Sequence, residues 1–190
     1  MISDQDTPHR FSLSGIYNLP FGRGRYFLSD ANPFVDRLVS GWQLNGTYAF
    51  QVGFPISFGT NLFYNGGDVS IDSSDRTTAQ WFNTGVFTSV LNSNATLATP
   101  VSQLRTLPFR FSDVRRDNIN DVNLSLIKDT RIRESVNLQL RFELINAFNE
   151  PYFPVPVVNP TATNFGQIAA NAANQDNFAR RVQIAAKIVF

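Results

Sequence analysis

The stretch ARRVQIAAKIVF, residues 179–190, decides the fold. Val182, Ile184, Ala186, Ile188 and Phe190 take every second position, and all are apolar. Arg181, Gln183, Ala185, Lys187 and Val189 lie between them. Successive side chains of a strand point to opposite faces, so this period of two predicts a strand with one greasy and one mostly wetter face. In a water-soluble domain the greasy face enters a core. In an outer-membrane barrel it points at lipid, and the wetter face points into the lumen.

Composition narrows the choice without making it. The 190 residues are ample for one domain. A net charge of +1 sets up no field for a polyanion, so no nucleic-acid partner is expected. Charged residues are 16% of the chain, against about 25% in an ordinary soluble domain. Aromatics reach 13%, with 18 Phe, yet mean hydropathy is only −0.14. No run approaches the roughly 18 apolar residues of a membrane-spanning helix. Barrel strands, half polar by position, fit this balance, and so does a soluble β-protein. The absence of cysteine excludes disulfides, thiol catalysis and thiolate metal sites. The start, MISDQDTPHRF, has no basic region followed by an apolar core. An export signal is therefore expected outside this chain, with Met1 either a true start or a fragment boundary.

Other stretches repeat the alternation. His9 to Leu19 sets Phe11, Leu13, Gly15, Tyr17 and Leu19 against Ser12, Ser14, Ile16 and Asn18. Pro20, Gly22 and Gly24 end it. Within Asp30–Ser40, Pro33 can open a short helix capped by Asn32, and Gly41 closes it. Trp42 to Val52 alternates most cleanly, with Trp42 at one end and Phe50 and Phe54 near the other. Asp121 to Ile132 predicts a third strand, Asp129 to Glu134 a tight charged turn, and Ser135 to Phe148 a fourth strand. Phe58 to Asn118 reads as long and irregular, with short strands expected near Val69–Ile71 and Val86–Leu91. A second long loop, Asn149 to Phe178, carries Pro151, Pro154, Pro156 and Pro160.

Connections thus alternate between compact (20–41, 129–134) and long (58–118, 149–178). Short periplasmic turns and long external loops have that asymmetry, and strand parity places both compact connections on the side of the carboxy terminus. Twelve residues at about 3.3 Å each span roughly 40 Å, and a 45° tilt brings that to about 28 Å, close to the hydrocarbon thickness. Arg141, Glu143, Arg181 and Lys187 lie mid-strand on the polar side, where a watery lumen hydrates them. The fold expected is all-β: an antiparallel up-and-down transmembrane β-barrel segment with long external loops. About five strands cannot close a barrel, since small ones need about eight. Residues 1–190 are therefore expected to be the end of a larger barrel or one protomer of an assembled one.

Six segments carry a family resemblance: HRFSLSGIYNLPFGRGR (9–25), GWQLNGTYAFQVGFPISF (41–58), WFNTGVF (81–87), DVNLSLIKD (121–129), RFELINAFNEPYF (141–153) and RRVQIAAKIVF (180–190). In this order they resemble the carboxy-terminal end of TonB-dependent transporters, specifically the Oar-like group with an amino-terminal carboxypeptidase-regulatory-like domain. The resemblance implies a plugged barrel of about 22 strands, of which this chain supplies about the last five. It implies an outer-membrane location, the barrel's other strands and plug as partners, and energy from a TonB complex acting on a missing amino-terminal region. Val182, Ile184, Ala186, Ile188 and Phe190 resemble the signal read by the barrel-assembly machinery. Plug, TonB box, signal peptide and earlier strands are not in this chain.

Candidate sites are few. His9 is the only histidine, with no nucleophile elbow or metal-pair spacing near it, so no catalytic residue and no cofactor are expected. Asp68, Asp72 and Asp75 match no EF-hand spacing and read as solvated loop acids, so no metal is expected. Gly22-Arg23-Gly24 reads as a turn, and Arg115 and Arg116 are offset by Asp113 and Asp117. Trp81, Phe82, Phe87, Tyr152 and Phe153 lie in or beside the long loops. They are expected mainly to pack, with Trp81, Tyr152 and Phe153 as candidate ligand contacts for uptake of a bulky nutrient. Two alternatives stay open: a soluble β-sandwich binding module, and a non-transporting surface adhesin or structural barrel. The sandwich would bury Leu44, Tyr48, Leu138 and Phe142; the barrel would turn them outward.

Overall fold

The computed structural model describes residues 2–59, 63–64, 66–88, 108–159, 162–169 and 179–190. Its elements in chain order are β1 (Arg10–Asn18), α1 (Pro33–Val39), β2 (Trp42–Gln51), β3 (Pro55–Ser57), β4 (Phe63–Tyr64), β5 (Phe87–Thr88), β6 (Arg110–Arg115), β7 (Ile119–Arg133), β8 (Val136–Ile145) and β9 (Arg181–Val189). The chain divides into two compact units. A sheet unit holds Arg10–Phe50, Asn120–Pro151 and Asn177–Phe190; a loop unit holds Met1–His9, Gln51–Ile119 and Tyr152–Asp176.

The sheet unit is one five-stranded sheet in the order β1-β2-β7-β8-β9. Leu19 donates to the Trp42 carbonyl at 2.9 Å and Val52 to that of His9 at 3.0 Å, so β1 and β2 run in opposite directions. β7–β8 and β8–β9 are antiparallel, with Leu126↔Phe142↔Ile184 as one continuous row. All five predicted strands are present. Their apolar positions fall on common rows because antiparallel pairing preserves the pleat from strand to strand.

Local chemistry sets the ends. The Asn32 side chain accepts from the amides of Phe34 at 3.1 Å and Val35 at 2.9 Å, capping α1 as its sequence predicts. Gly41 has φ +72°, and a Cβ there would collide with the Asp129 carbonyl. That close approach lets Asp129 donate to the Gly41 carbonyl at 2.9 Å and joins β2 to β7. β8 stops at Ile145, short of the expected Phe148, because Asn146 turns left-handed at φ 51°. The Asn146 side chain then accepts from the Glu150 amide at 2.9 Å and donates to the Glu150 carbonyl at 3.0 Å.

The expected turn at Asp129–Glu134 is shorter than predicted. Asp129, Thr130 and Arg131 pair with Gln139, Leu138 and Asn137, and a register irregularity follows before Arg133 meets Val136. Charged residues on the polar face belong to the strand as readily as to a turn.

The loop unit is not irregular chain. β3 pairs with β6 and β4 with β5 in two small antiparallel ladders. Ile56, Phe58, Val69, Phe82, Val114 and Ile168 are buried in its core. The region Val69–Ile71 forms no strand; the other expected strand, Val86–Leu91, is present as β5, entered from a short 3-10 turn (Thr84–Val86), with its remainder outside the described residues. The chain passes between units before β1, after β2, before β7, after β8 and before β9.

Candidate functional site

One face of the sheet is apolar from strand to strand. Across β7, β8 and β9 it reads Leu124-Leu144-Val182, Leu126-Phe142-Ile184 and Thr130-Leu138-Ile188. Trp42 stacks on Phe142 with ring centroids 6.5 Å apart, which puts the tryptophan of β2 on this face. Phe11 of β1 lies 5.9 Å from Tyr48 of β2. Among the described residues of the sheet unit, only the β1–β2 connection with α1 lies over this face, at its Trp42–Lys128 end. Ile184 is 72% exposed, and Leu44, Phe142, Val182, Ile188 and Phe190 are exposed with it. Ala186 is exposed too, so all five residues of the expected assembly signal lie open on β9 and its end. Leu44 and Phe142 are not enclosed by protein as a sandwich requires; Tyr48 and Leu138 are half-buried.

One cation interrupts the apolar rows. Lys128 pairs with Leu140 in register, extending the series Val122, Leu124, Leu126, and is 6% exposed. An ammonium out of water has to be partnered. Its Nζ donates to the Ser40 carbonyl at the end of α1 and lies 5.4 Å from the centre of the Trp42 ring. A cation–π contact of this kind contributes about 0.5–2 kcal/mol. Sequence reading passed over Lys128; a charge on an otherwise apolar alternate series was the available signal.

The opposite face is polar and bonded along its rows. Asp129, Gln139 and Lys187 share a row, as do Ser125, Glu143 and Gln183. Gln139 donates to the Asp129 carboxylate at 2.9 Å, and Arg141 donates to the Gln139 amide oxygen at 2.7 Å. Charges here stay hydrated or in contact with other polar groups, with Ile127 and Val189 as apolar residues among them.

In the loop unit, Trp81 is 6% exposed. Its indole donates to the Arg115 carbonyl at 2.9 Å, its ring meets Phe153 edge-on at 6.2 Å, and the Arg76 guanidinium lies 6.0 Å from its centre. Tyr152 and Phe153 are half-buried, and the Phe153 amide donates to the Asp117 carboxylate at 3.0 Å. The structure therefore brings Trp81 and Phe153 together as packing partners. Phe58, Phe82, Phe87 and Phe165 form an aromatic cluster with centroid distances of 5.2–6.0 Å. Arg115 also does what charge counting missed. It bridges the Asp6 carboxylate at 2.5 Å and donates to the carbonyls of Asp6 at 2.9 Å and Gly53 at 3.2 Å. The segment before β1 is thereby held to β6 within this unit.

The remaining candidates are local features. His9 is exposed and its carbonyl accepts from Val52. The Asp68 carboxylate accepts from the amide and hydroxyl of Ser70, at 3.0 Å and 2.9 Å. Gly22 and Gly24 both have positive φ and form a turn, with Gly22 donating to the Phe27 carbonyl at 3.0 Å. Among the described residues no group of three His, Asp or Glu is placed to hold a metal ion.

A comparison with protein families matches residues 1–183 to the outer membrane beta barrel domain. No curated protein and no solved structure matches the chain. The family match and the uncovered apolar face together decide against the soluble sandwich.

Proposed function

The chain belongs to the outer membrane beta barrel domain family, and from that premise we propose that it is wall and loops of a TonB-dependent transporter. The barrel segment and its outer-membrane location are the premise; transport is the proposal. In this reading the protein is of the Oar-like group, and it takes up a bulky nutrient of the siderophore, oligosaccharide or peptide class. The apolar face of β1, β2, β7, β8 and β9 meets lipid, and the polar face with Arg141, Glu143 and Lys187 lines the passage. The long connections are external loops, as in such barrels. The barrel's other strands and its plug complete the wall and gate it. The TonB complex drives it, and the assembly machinery reads β9.

One observation carries the reading: a largely exposed apolar face set back to back with a mostly polar one across five strands, Lys128 and Ile127 being exceptions to the alternation. The transporter class is supported by the six ordered segments from HRFSLSGIYNLPFGRGR to RRVQIAAKIVF. The role is binding and passage, with no catalytic step assigned to any residue. Trp81 and Phe153 act mainly by packing the loop unit, with Trp81, Tyr152 and Phe153 as its candidate ligand contacts.

Uptake by whole cells tests this. Cells lacking the protein should lose uptake of one class from a panel of ferric siderophores, oligosaccharides and peptides. A protonophore should abolish the same uptake in cells that have it. Unchanged uptake across the panel, with adhesion or envelope integrity lost instead, would sink the transporter and leave a non-transporting barrel.

A further inference from the structure

The connection between β1 and β2 exposes an unusual amount of apolar surface for a turn. Tyr26, Phe27, Leu28, Phe34 and Leu38 are all exposed, Phe34 at 74%. It does not stand clear of the sheet. The Trp42 indole donates to the Leu38 carbonyl at 3.0 Å, and Lys128 donates to the Ser40 carbonyl. Both Trp42 and Lys128 belong to the apolar face, so the connection is tied down on that face and not on the polar one. Leu19, Phe21, Leu28, Leu38 and Val39 from the connection and Trp42 and Leu126 from the strands line an open groove of about 410 Å³. Its walls carry no charged side chain.

We propose that the β1–β2 connection is an interfacial membrane element, whose groove takes an acyl chain of a phospholipid in the periplasmic leaflet. The inference rests on the barrel reading and extends it: lipid contact continues past the strand ends onto α1. The occupant follows from continuity. The groove opens on the face that meets lipid along every strand, and its floor is made of side chains of that face. Strand parity puts the connection at the carboxy-terminal end of β9, the periplasmic side. Aromatic side chains gather where a barrel wall meets headgroups, and here Tyr26, Phe27, Phe34 and Trp42 lie at one strand end. Arg23 and Arg25 lie beside them in sequence, suited to phosphate oxygens. Amphipathic elements of this kind lie in the interface plane with their apolar side among acyl chains.

The chain has no cysteine, so single cysteines can report the surroundings. Phe34→Cys, Leu38→Cys and Asp30→Cys are placed singly in the protein as it is recovered from outer membranes, with Leu44→Cys in β2 as the strand control. Phe34, Leu38 and Asp30 are exposed, so these changes remove no buried side chain. A charged maleimide is added to both sides of native outer membranes and of vesicles made only of phosphatidylethanolamine and phosphatidylglycerol. At Phe34→Cys and Leu38→Cys, labelling should be at least about tenfold slower than at Asp30→Cys in both preparations, because an apolar setting suppresses the reactive thiolate. Protection in native membranes alone would mean that a protein covers the groove, and would overturn the proposal. Labelling as fast as Asp30→Cys in both, with Leu44→Cys still protected, would overturn it and leave the barrel standing. Fast labelling of Leu44→Cys as well would remove the barrel reading, and the proposal with it.

Discussion

Ile184 in the sheet unit and Phe82 in the loop unit are both large and apolar, and they are handled in opposite ways. Ile184 is 72% exposed, whereas Phe82 is 0% exposed amid Phe58, Phe87 and Phe165. The sheet unit spreads its apolar residues over an open face; the loop unit gathers its own into a core. Apolar surface moves out of water in whichever direction removes it. The loop unit behaves as a small water-soluble fold does. The sheet unit behaves as though its solvent on one side were hydrocarbon, as expected of an outer-membrane barrel segment.

Substitutions can break this contrast or sharpen it. The largest effect is expected from Phe82→Ala, at about 3–5 kcal/mol, since a buried ring is lost and a cavity is left. Protease sensitivity of the loop unit should rise in detergent and in membranes alike, while the heat-modifiable gel mobility of the barrel persists. Unaltered protease resistance would mean that the loop core does not matter to the folded state.

Ile184→Arg comes next and discriminates most sharply. At a lipid-facing position a mid-membrane arginine costs about 2–4 kcal/mol, whereas at a water-exposed position a substitution usually stays within about 0.5 kcal/mol. Urea titration of the barrel refolded in vesicles should show the larger loss. A midpoint unmoved by the arginine would contradict a lipid-facing β9. Gln183→Arg, one residue along on the polar face, is the matched control and should be nearly silent.

Two smaller changes probe the edges of the comparison. Asn32→Ala removes the cap that holds the amides of Phe34 and Val35, and should cost about 1 kcal/mol in the same titration. If the connection also rests on lipid, the same variant should raise the maleimide reactivity of Leu38→Cys. Asp4→Asn weakens the long 3.9 Å contact to Arg110, and since the Asp4 carboxylate is exposed it should change stability by less than about 1 kcal/mol. A larger loss in protease resistance would mean that the segment before β1 is held there and not through Asp6 and Arg115.

Much of the sheet is legible in the sequence, because its information is local. Trp42–Gln51 and Arg181–Val189 announce themselves by period two, and Asn32-Pro33 announces α1 by cap chemistry. The loop unit could not be read this way. Ile56, Phe82 and Ile168 lie on segments far apart in sequence and follow no common period, so nothing local marks them as neighbours. β3 illustrates the same difficulty. Its three residues are too few to show alternation, and Gly53 just before it lies so close to the backbone of Arg116 and Asp117 that a Cβ would clash. For Trp81 the sequence leaves packing and ligand contact both open, with packing favoured. Its burial depends on Arg115 and Gly166, which bond its indole and its amide from distant parts of the chain.

Which residues share a face was determined by the sequence alone, because the pleat turns alternate side chains to opposite sides whatever the strand pairs with. Polarity of each face, the capped helix and the alternation of compact and long connections came with it. Only the tertiary structure decided that Lys128 would be bonded under α1, that Arg115 would clasp the segment before β1, and that the long connections would build a core of their own. Those outcomes depend on contacts between residues remote in sequence. Such contacts exist only after the chain has closed its loops and brought their partners within reach.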